Sequence, residues 1–524
     1  KTSFMFRSMA IFVCFLLAII LLLGSNQSEN SNKFDKLNSF FKVMRLVDDK
    51  YVEEPDVSEL TEGAISGMLN KLDPHSIYIN KGDYQQTEED MQGEFEGIGV
   101  EFSIIDDYIT VISPIIDGPS YKAGIQSGDQ IIKINGESAY QITTSDVLKK
   151  LKGPKGTKVT VTIQRSGVEQ FDRTLTRDKI PLKSVPTYFM LDKDIGYIKL
   201  SKFSRKTFSE FYDAFDELED NGMNKLLLDL RNNPGGLLDQ AISMLDMFIS
   251  SNDTLLYTKG RIRDSNSVIR ANYSRFDKNK LPIISIINRG SASASEIISG
   301  TLQDLDRGLV IGETSFGKGS VQQHYDLDDS TAVRITVAKF YTPSGRSIQR
   351  DFNSGDDDYY YNLNIDNREL SDSLKNTLPQ FKTRKGRTVY GGGGITPDIY
   401  FQDTTKLSKK VVDLIYNSKR PIFNYTEFIK ANFLLSGSDN YDTFISDASE
   451  AINSIDFVNW LKDNDYDYAQ LDIDKDWSHI SNRIIAELAN KIFDRKFYYK
   501  TLIMNDKTVL EALNYFDEAK TLLN

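Results

Sequence analysis

The sequence predicts a multidomain α/β protein, with an α/β core, a small strand-rich module ahead of it and helical segments towards both ends. Three observations carry this. Between residues 185 and 323, short apolar β-branched runs alternate with stretches of helical spacing, joined by tight turns. Between 95 and about 179 the chain alternates in twos and is rich in Ile and Val, with turn signals at Asp117-Gly118-Pro119, Ser127-Gly128-Asp129 and Asn135-Gly136. Beyond 404 the spacing is helical, with Ile480, Ile484, Leu488 and Ile492 falling at fours.

Composition narrows the function classes. A chain of 524 residues has room for three or four domains, and 40% hydrophobic with 26% charged residues is ordinary for a globular protein. A net charge of −12 argues against nucleic acid as a main partner. A single cysteine, Cys14, excludes an internal disulfide framework. Three histidines, His75, His324 and His479, are too few and too scattered for a zinc site, so no metal and no cofactor is expected.

The apolar run 9–23, preceded by Lys1 and Arg7 and followed by no A-x-A cleavage pattern, predicts an uncleaved signal anchor over 1–25. The rest of the chain would then lie on the extracytoplasmic, periplasmic side of a membrane. Residues 26–90 begin with a polar linker and continue with helical spacing to Asp73-Pro74, where proline disfavours continuation. His75 is expected to bond within a turn.

The strand-rich module, 91–179, carries Gly97-Ile98-Gly99-Val100, then Ala123-Gly124-Ile125, then the run from Gly128 to Gly136. Taken alone, Gly97-Ile98-Gly99 is a turn before a strand. Together these segments resemble a PDZ domain. The resemblance implies that Gly97, Ile98, Gly99 and Val100 present backbone N–H groups to a peptide's terminal carboxylate, and that the peptide adds as a strand beside Val100 and Phe102.

The core, 180–402, opens with a strand at 195–200, a helix at 208–218 and a buried strand at 226–230 that ends in Arg231-Asn232-Asn233-Pro234-Gly235-Gly236. A helix over 237–249 follows. The next strand, 283–287, stops at Asn288-Arg289-Gly290. Ser291, Ser293 and Ser295 come next, separated by alanines, and helical spacing resumes from Glu296. A strand at 309–311 leads to a loop with Lys318 between Gly317 and Gly319, and strand character returns from Val321. A polar stretch at 351–387 reads as an exposed, partly disordered insertion. The run from Tyr390 to Asp398, with four glycines, suggests close backbone packing or a hinge.

A serine where a strand turns into a helix, followed by a lysine in a tight loop after the next strand, suits a serine nucleophile with a lysine base. The hydroxyl needs a base, the helix N-terminus offers N–H groups to an oxyanion, and burial can keep a lysine neutral. Two other readings fit parts of the pattern. Ser293 and Glu296 have capping-box spacing. Gly312 to Gly319 is one residue short of a phosphate-binding loop, with Gly319 at the hydroxyl position and strand character where a helix should start.

The runs GSASASEI and LQDLDRGLVIGETSFGKGSVQ resemble the carboxy-terminal processing (tail-specific) peptidases. The resemblance implies an α/β serine-peptidase core with a PDZ domain and a Ser–Lys dyad. Ser293 would be the nucleophile, Lys318 the general base and Gln322 the residue that orients the lysine. The Gly235-Gly236 turn would be the oxyanion-hole loop, with Gly236 and the N–H of Ala294 as donors. Substrates would be proteins with apolar C-termini, cut near those ends, and a homo-oligomer or an adaptor protein is a possible partner. A Ser–His variant using His324, two positions past Gln322, is the mechanistic rival. A catalytically silent, membrane-tethered PDZ scaffold is the rival of a different class. Residues 403–524 show no chemistry and could be a cap, a dimer surface or a docking site.

Overall fold

The computed structural model describes residues 36–165, 167–272, 281–328, 330–352, 377–435 and 440–523. The expected anchor over 1–25 lies outside them. Among the described residues no helix is long and apolar enough to cross a membrane. Contacts divide the chain into two units, 1–80 and 81–524.

In the first unit, Asp56 caps the helix Val57–Leu69 by accepting from the N–H groups of Ser58 and Glu59. Asp73 closes the turn that follows, its Oδ1 accepting from the N–H of His75 and of Ser76, each at 2.8 Å.

The second unit begins with the strand-rich module. Glu94–Gly97 pairs with Asp178–Pro181. A separate sheet runs in the order Val100–Ile105, Tyr108–Pro114, Gln130–Ile134, Lys158–Arg165, Val168–Thr176, with Glu137–Ser138 beside Gln130–Ile134. Alternate residues turn inward: Ile109 and Val111 on one strand, Val159, Val161 and Ile163 on another. The helix Thr144–Leu151 adds Val147 and Leu151 to that core. Val100–Ile105 ends the sheet order, so its outer edge pairs with no other strand of that sheet.

The α/β core is a sheet in the order Thr187–Met190, Ile195–Lys199, Lys225–Asp229, Ile283–Ile287, Leu309–Gly312, Ile399–Tyr400. The first pair is antiparallel and the rest are parallel. The central strands are apolar on both faces, as a parallel sheet covered on both sides requires. Leu226, Leu228, Ile283 and Ile287 face one layer, to which the helices Thr207–Asp220, Leu238–Asp246 and Ala294–Asp304 contribute Phe211, Met244 and Ile298. Leu227, Ile284 and Ile286 face the other, which holds Val509, Ala512, Phe516 and Ala519.

That second layer contains the end of 403–524, the region for which the sequence leaves a cap, a dimer surface or a docking site open. The last short helices, Lys507–Ala512 and Phe516–Thr521, cover the central sheet and are part of the core's packing. Earlier in sequence, after the last sheet strand, the seven helices described from Lys409–Ile415 to Arg495–Met504 enclose a separate apolar cluster that includes Phe444, Phe457, Ile480 and Ile484. The region expected as an exposed insertion also ends earlier than 387. Its acidic run lies outside the described residues, but Gln380–Lys382 pairs with Thr388–Tyr390. Arg387 there forms ion pairs with Asp306 at 2.6 Å and with Asp398 at 2.5 Å. A cation that reads as a surface charge in sequence is the counter-ion of a buried carboxylate.

Candidate active site

The strand Ile283–Ile287 delivers the three serines to the top of the sheet, and their surroundings differ. Ser291 Oγ donates to the carbonyl of Leu230 at 2.9 Å and accepts from the N–H of Asn288 at 2.9 Å. Ser295 Oγ donates to the carbonyl of Asn233 at 3.0 Å. Both are fully buried and hold the loop to its neighbours. Ser293 is only half-buried. Its backbone sits at φ +53°, ψ −111°, a conformation an L residue adopts at a cost and one that recurs where a strand turns sharply into a helix to present a side chain.

The glycine loop after Lys225–Asp229 packs against this turn. The carbonyl of Asn233 accepts from the N–H of Ala292 at 3.0 Å, while Asn233 Oδ1 accepts from the N–H of Gly235 at 2.9 Å. A Cβ on Gly235 would lie 2.8 Å from Ser293 Cβ and 2.7 Å from the Ala292 carbonyl, so only glycine fits. The close approach to Ser293 therefore falls on Gly235, while Gly236 abuts the Phe203 carbonyl. The N–H of Gly236 and that of Ala294 find no acceptor among the described residues.

The lysine loop closes over the same turn. Lys318 Nζ donates to Gln322 Oε1 at 2.7 Å. Gln322 sits early in the strand Ser320–Asp328, just after a register shift opposite Thr331–Tyr341. The glycine run packs under the loop, where a Cβ on Gly394 would come within 2.5 Å of the Ser315 carbonyl; close packing, of the two expectations, is what these glycines serve. Among the described residues no hydrogen bond joins the Ser293 hydroxyl to Lys318.

Glu296 joins the two loops. Its Oε2 accepts from the N–H of Ser293 at 2.8 Å and from the N–H of Lys318 at 2.9 Å. Its Oε1 accepts from Ser315 Oγ at 2.5 Å and from the N–H of Gly317 at 2.7 Å. Burial pushes the Glu296 carboxyl upward, and the four hydrogen bonds oppose that shift. In sequence this residue has only a capping role; its other partners come from a different loop and leave no local signal. The same bonds dispose of the phosphate-loop reading, because the N–H groups of Gly317 and Lys318 already hold a carboxylate, and the loop runs into a strand.

His324 lies opposite Arg334 in the strand register, bonds Asp326 Oδ1 through Nε2 at 3.1 Å and has its ring 6.4 Å from that of Tyr84. It makes no hydrogen bond to Ser293. Among the described residues no group of three His, Cys, Asp or Glu is placed to hold a metal ion.

Below the glycine loop, Asp229 is fully buried. Burial raises its carboxyl, but Arg231 and Lys199 outweigh that and hold it well below the usual range. Arg231 reaches on to Asp506, at 3.0 and 2.9 Å, which ties the loop's base to the final helices.

In the strand-rich module, the N–H groups of Ile98 and Gly99 have no acceptor among the described residues, whereas the Ile98 carbonyl accepts from Ser120 Oγ at 2.7 Å. Gly97 is paired with Asp178, and Val100 begins the edge strand.

Known proteins resemble this chain over much of its length. The model of peptidase family S41 matches residues 194–359, a PDZ domain model matches 110–165, and the model of the activating protease CtpB N-terminal domain matches 21–83. The chain is 41% identical over 355 residues to the carboxy-terminal-processing protease of Bartonella bacilliformis, a match covering 66% of this chain and 81% of that one. It is 38% identical over 324 residues to the carboxy-terminal processing protease CtpA of Bacillus subtilis, covering 62% and 68%. Among solved structures it resembles the photosystem II D1 C-terminal processing protease, with 24% identity, a TM-score of 0.36, and coverage of 73% of this chain and 97% of that one.

Proposed function

The chain belongs to the carboxy-terminal processing serine peptidases, and from that premise we propose that it cuts protein substrates near their C-termini through an acyl-enzyme on Ser293. The observation that carries this is the contrast among the three serines. Two have their hydroxyls committed to backbone carbonyls. The third is half-exposed on a strained turn, and the next residue's N–H, that of Ala294, has no acceptor among the described residues.

Neutral Lys318 takes the proton from Ser293 Oγ as the oxygen attacks the scissile carbonyl. The oxyanion accepts from the N–H groups of Ala294 and Gly236. Collapse expels the amine, which leaves with the proton from Lys318. Water, deprotonated by the same lysine, then releases the acyl group. Gln322 holds the lysine by its 2.7 Å bond and sets its direction. The lysine must swing to Ser293 for the first step; catalytic bonds that are open in the free enzyme commonly close only with substrate.

The PDZ domain binds the substrate's C-terminus in this reading. The terminal carboxylate accepts from the N–H groups of Ile98 and Gly99, the peptide pairs with the edge of Val100–Ile105, and an apolar last residue lies towards Val147 and Leu151. Residues 1–25 tether the enzyme to a membrane, with the catalytic part outside the cytoplasm; protease accessibility in intact cells tests that, and a protected catalytic domain would refute it.

The test of the chemistry is intact-protein mass spectrometry after exposure to a phosphonate serine probe. An adduct on the wild type and none on Ser293→Ala or Lys318→Ala supports the dyad. An adduct that survives Lys318→Ala removes the lysine as base. No adduct on the wild type, even with an apolar-ended peptide present, favours the scaffold.

A further inference from the structure

We propose that Glu296 is the positioning residue that keeps the serine and the lysine in register, by holding the backbone N–H of Ser293 and the backbone N–H of Lys318 on one carboxylate oxygen. The inference rests on the dyad reading above and adds a residue to it.

Two loops from different strands must meet to within a hydrogen bond, and neither contacts the other through its catalytic side chain in this structure. The loops meet directly where the N–H of Phe316 donates to the carbonyl of Ser291 at 2.9 Å, but at the two catalytic positions themselves what they share is Glu296 Oε2, 2.8 Å from one nitrogen and 2.9 Å from the other. The two backbone nitrogens therefore cannot drift apart without breaking a bond to a fully buried carboxylate. Glu296 is itself held by the helix Ala294–Asp304, every residue of which is buried, and by Ser315 and Gly317 on its other oxygen. With both backbones fixed, bringing Lys318 to Ser293 needs rotation about side-chain bonds and no movement of either loop. A misplacement of about 1 Å at such a site costs on the order of 100-fold in rate.

Charge and span can be separated by substitution. Glu296→Gln keeps the length and one oxygen, which can still accept from both N–H groups. Its amide then faces Ser315 Oγ, which can accept, and the bond to Gly317 is lost. Glu296→Asp keeps the charge and is one methylene too short to reach both nitrogens. Full-chain variants are assayed on an apolar-ended peptide, with the rate of probe adduct formation at Ser293 and the melting temperature read beside kcat and KM. The expected result is that Gln stays within about fivefold of wild-type kcat, that Asp loses about 100-fold, and that KM is unchanged in both. An Asp variant faster than the Gln variant, or wild-type kcat in both, overturns the assignment. If the Asp variant does not fold, amide exchange in the wild type decides. Slow exchange at both Ser293 and Lys318 supports the shared anchor, and exchange at either one as fast as an open loop refutes it. Ser293→Ala and Lys318→Ala run in parallel. Wild-type turnover in Lys318→Ala defeats the dyad and this inference together, whereas inactive controls with the wrong order of Gln and Asp defeat this inference alone.

Discussion

The junction of the serine and lysine loops and the face between the PDZ domain and the C-terminal helices are both polar, and they are built in opposite ways. At the junction one buried carboxylate receives four hydrogen bonds. At the PDZ face, Arg495 bonds Glu101 at 3.0 Å, Arg420 reaches Ser103 at 3.4 Å and Glu487 at 3.3 Å. Yet Thr110 Oγ1, Glu487 Oε2, both polar atoms of the Asn490 amide and Arg495 Nη1 are buried without a hydrogen-bond partner among the described residues. Groups of this kind are completed by ordered water. The apolar part is small, Ile105 and Ile112 against Phe423, and a cavity of about 350 Å³ lined by Thr110, Phe423, Glu427 and Trp460 lies beside it. The difference teaches where rigidity is placed. The loop junction is fixed by one fully bonded carboxylate, although Ser320 Oγ just beyond it and Asp304 Oδ1 at the far end of the same helix are also buried without a hydrogen-bond partner among the described residues. The peptide-binding strand, in contrast, rests on an interface of the polar kind that lets domains shift.

The comparison can be broken from either side. The largest effect is expected in the core. Arg346 and Asp304 are fully buried and 2.8 Å apart, so Arg346→Met leaves a buried carboxylate without its cation, held only by Thr342 and Ser344 among the described residues, and should cost about 3–5 kcal/mol in denaturant unfolding. An unchanged midpoint would show the core to be no tighter than the PDZ face. Next, Gln322→Ala removes the lysine's partner and should lower kcat by about 10- to 100-fold with KM unchanged; a change in KM alone would make Gln322 a substrate contact.

On the PDZ side, burial pulls the Lys491 ammonium down to about 8, against Glu427, which bonds it. The folded state thus holds fewer protons than the unfolded state from about pH 8 up to the ordinary lysine range, and this lysine's contribution to stability rises with pH across that window. Between pH 8 and 9.5 the gain should be on the order of 2 kcal/mol, and Lys491→Met should abolish it. A slope that persists in the variant would assign it elsewhere. Glu101→Gln breaks a part-exposed ion pair with Arg495 and should cost no more than about 1 kcal/mol, while speeding amide exchange over 100–105. Exchange that stays slow would mean the strand is held by its own sheet alone. The smallest effect belongs to His324→Ala, which should leave kcat within about twofold; a loss comparable to that of Gln322→Ala would revive the histidine as base.

Much of the core was legible because its elements are long and strongly patterned. Ile283–Ile287, Ala294–Asp304 and Leu309–Gly312 fall where the apolar runs and helical spacing put them. The change from period two to helical spacing marked off the PDZ region. What was not legible is non-local. Nothing near Gly235 in sequence says that it, and not Gly236, meets Ser293, because that contact comes from the loop after the neighbouring sheet strand, which lies far along the chain. Glu296 at capping spacing carries no sign of its second partner, since Lys318 arrives from another loop.

By itself, then, the sequence determined the α/β pattern, the family and the short set of side chains from which the chemistry is drawn, because periodicity and motif spacing are local properties of a chain. The tertiary structure alone decided which serine's hydroxyl is not spent on a backbone carbonyl among the described residues, which glycine approaches it and which carboxylate joins the two loops. It also decided that the final helices, six residues each and too short to show a period, close the core sheet. These depend on which groups burial brings together, and burial is a property of the whole fold.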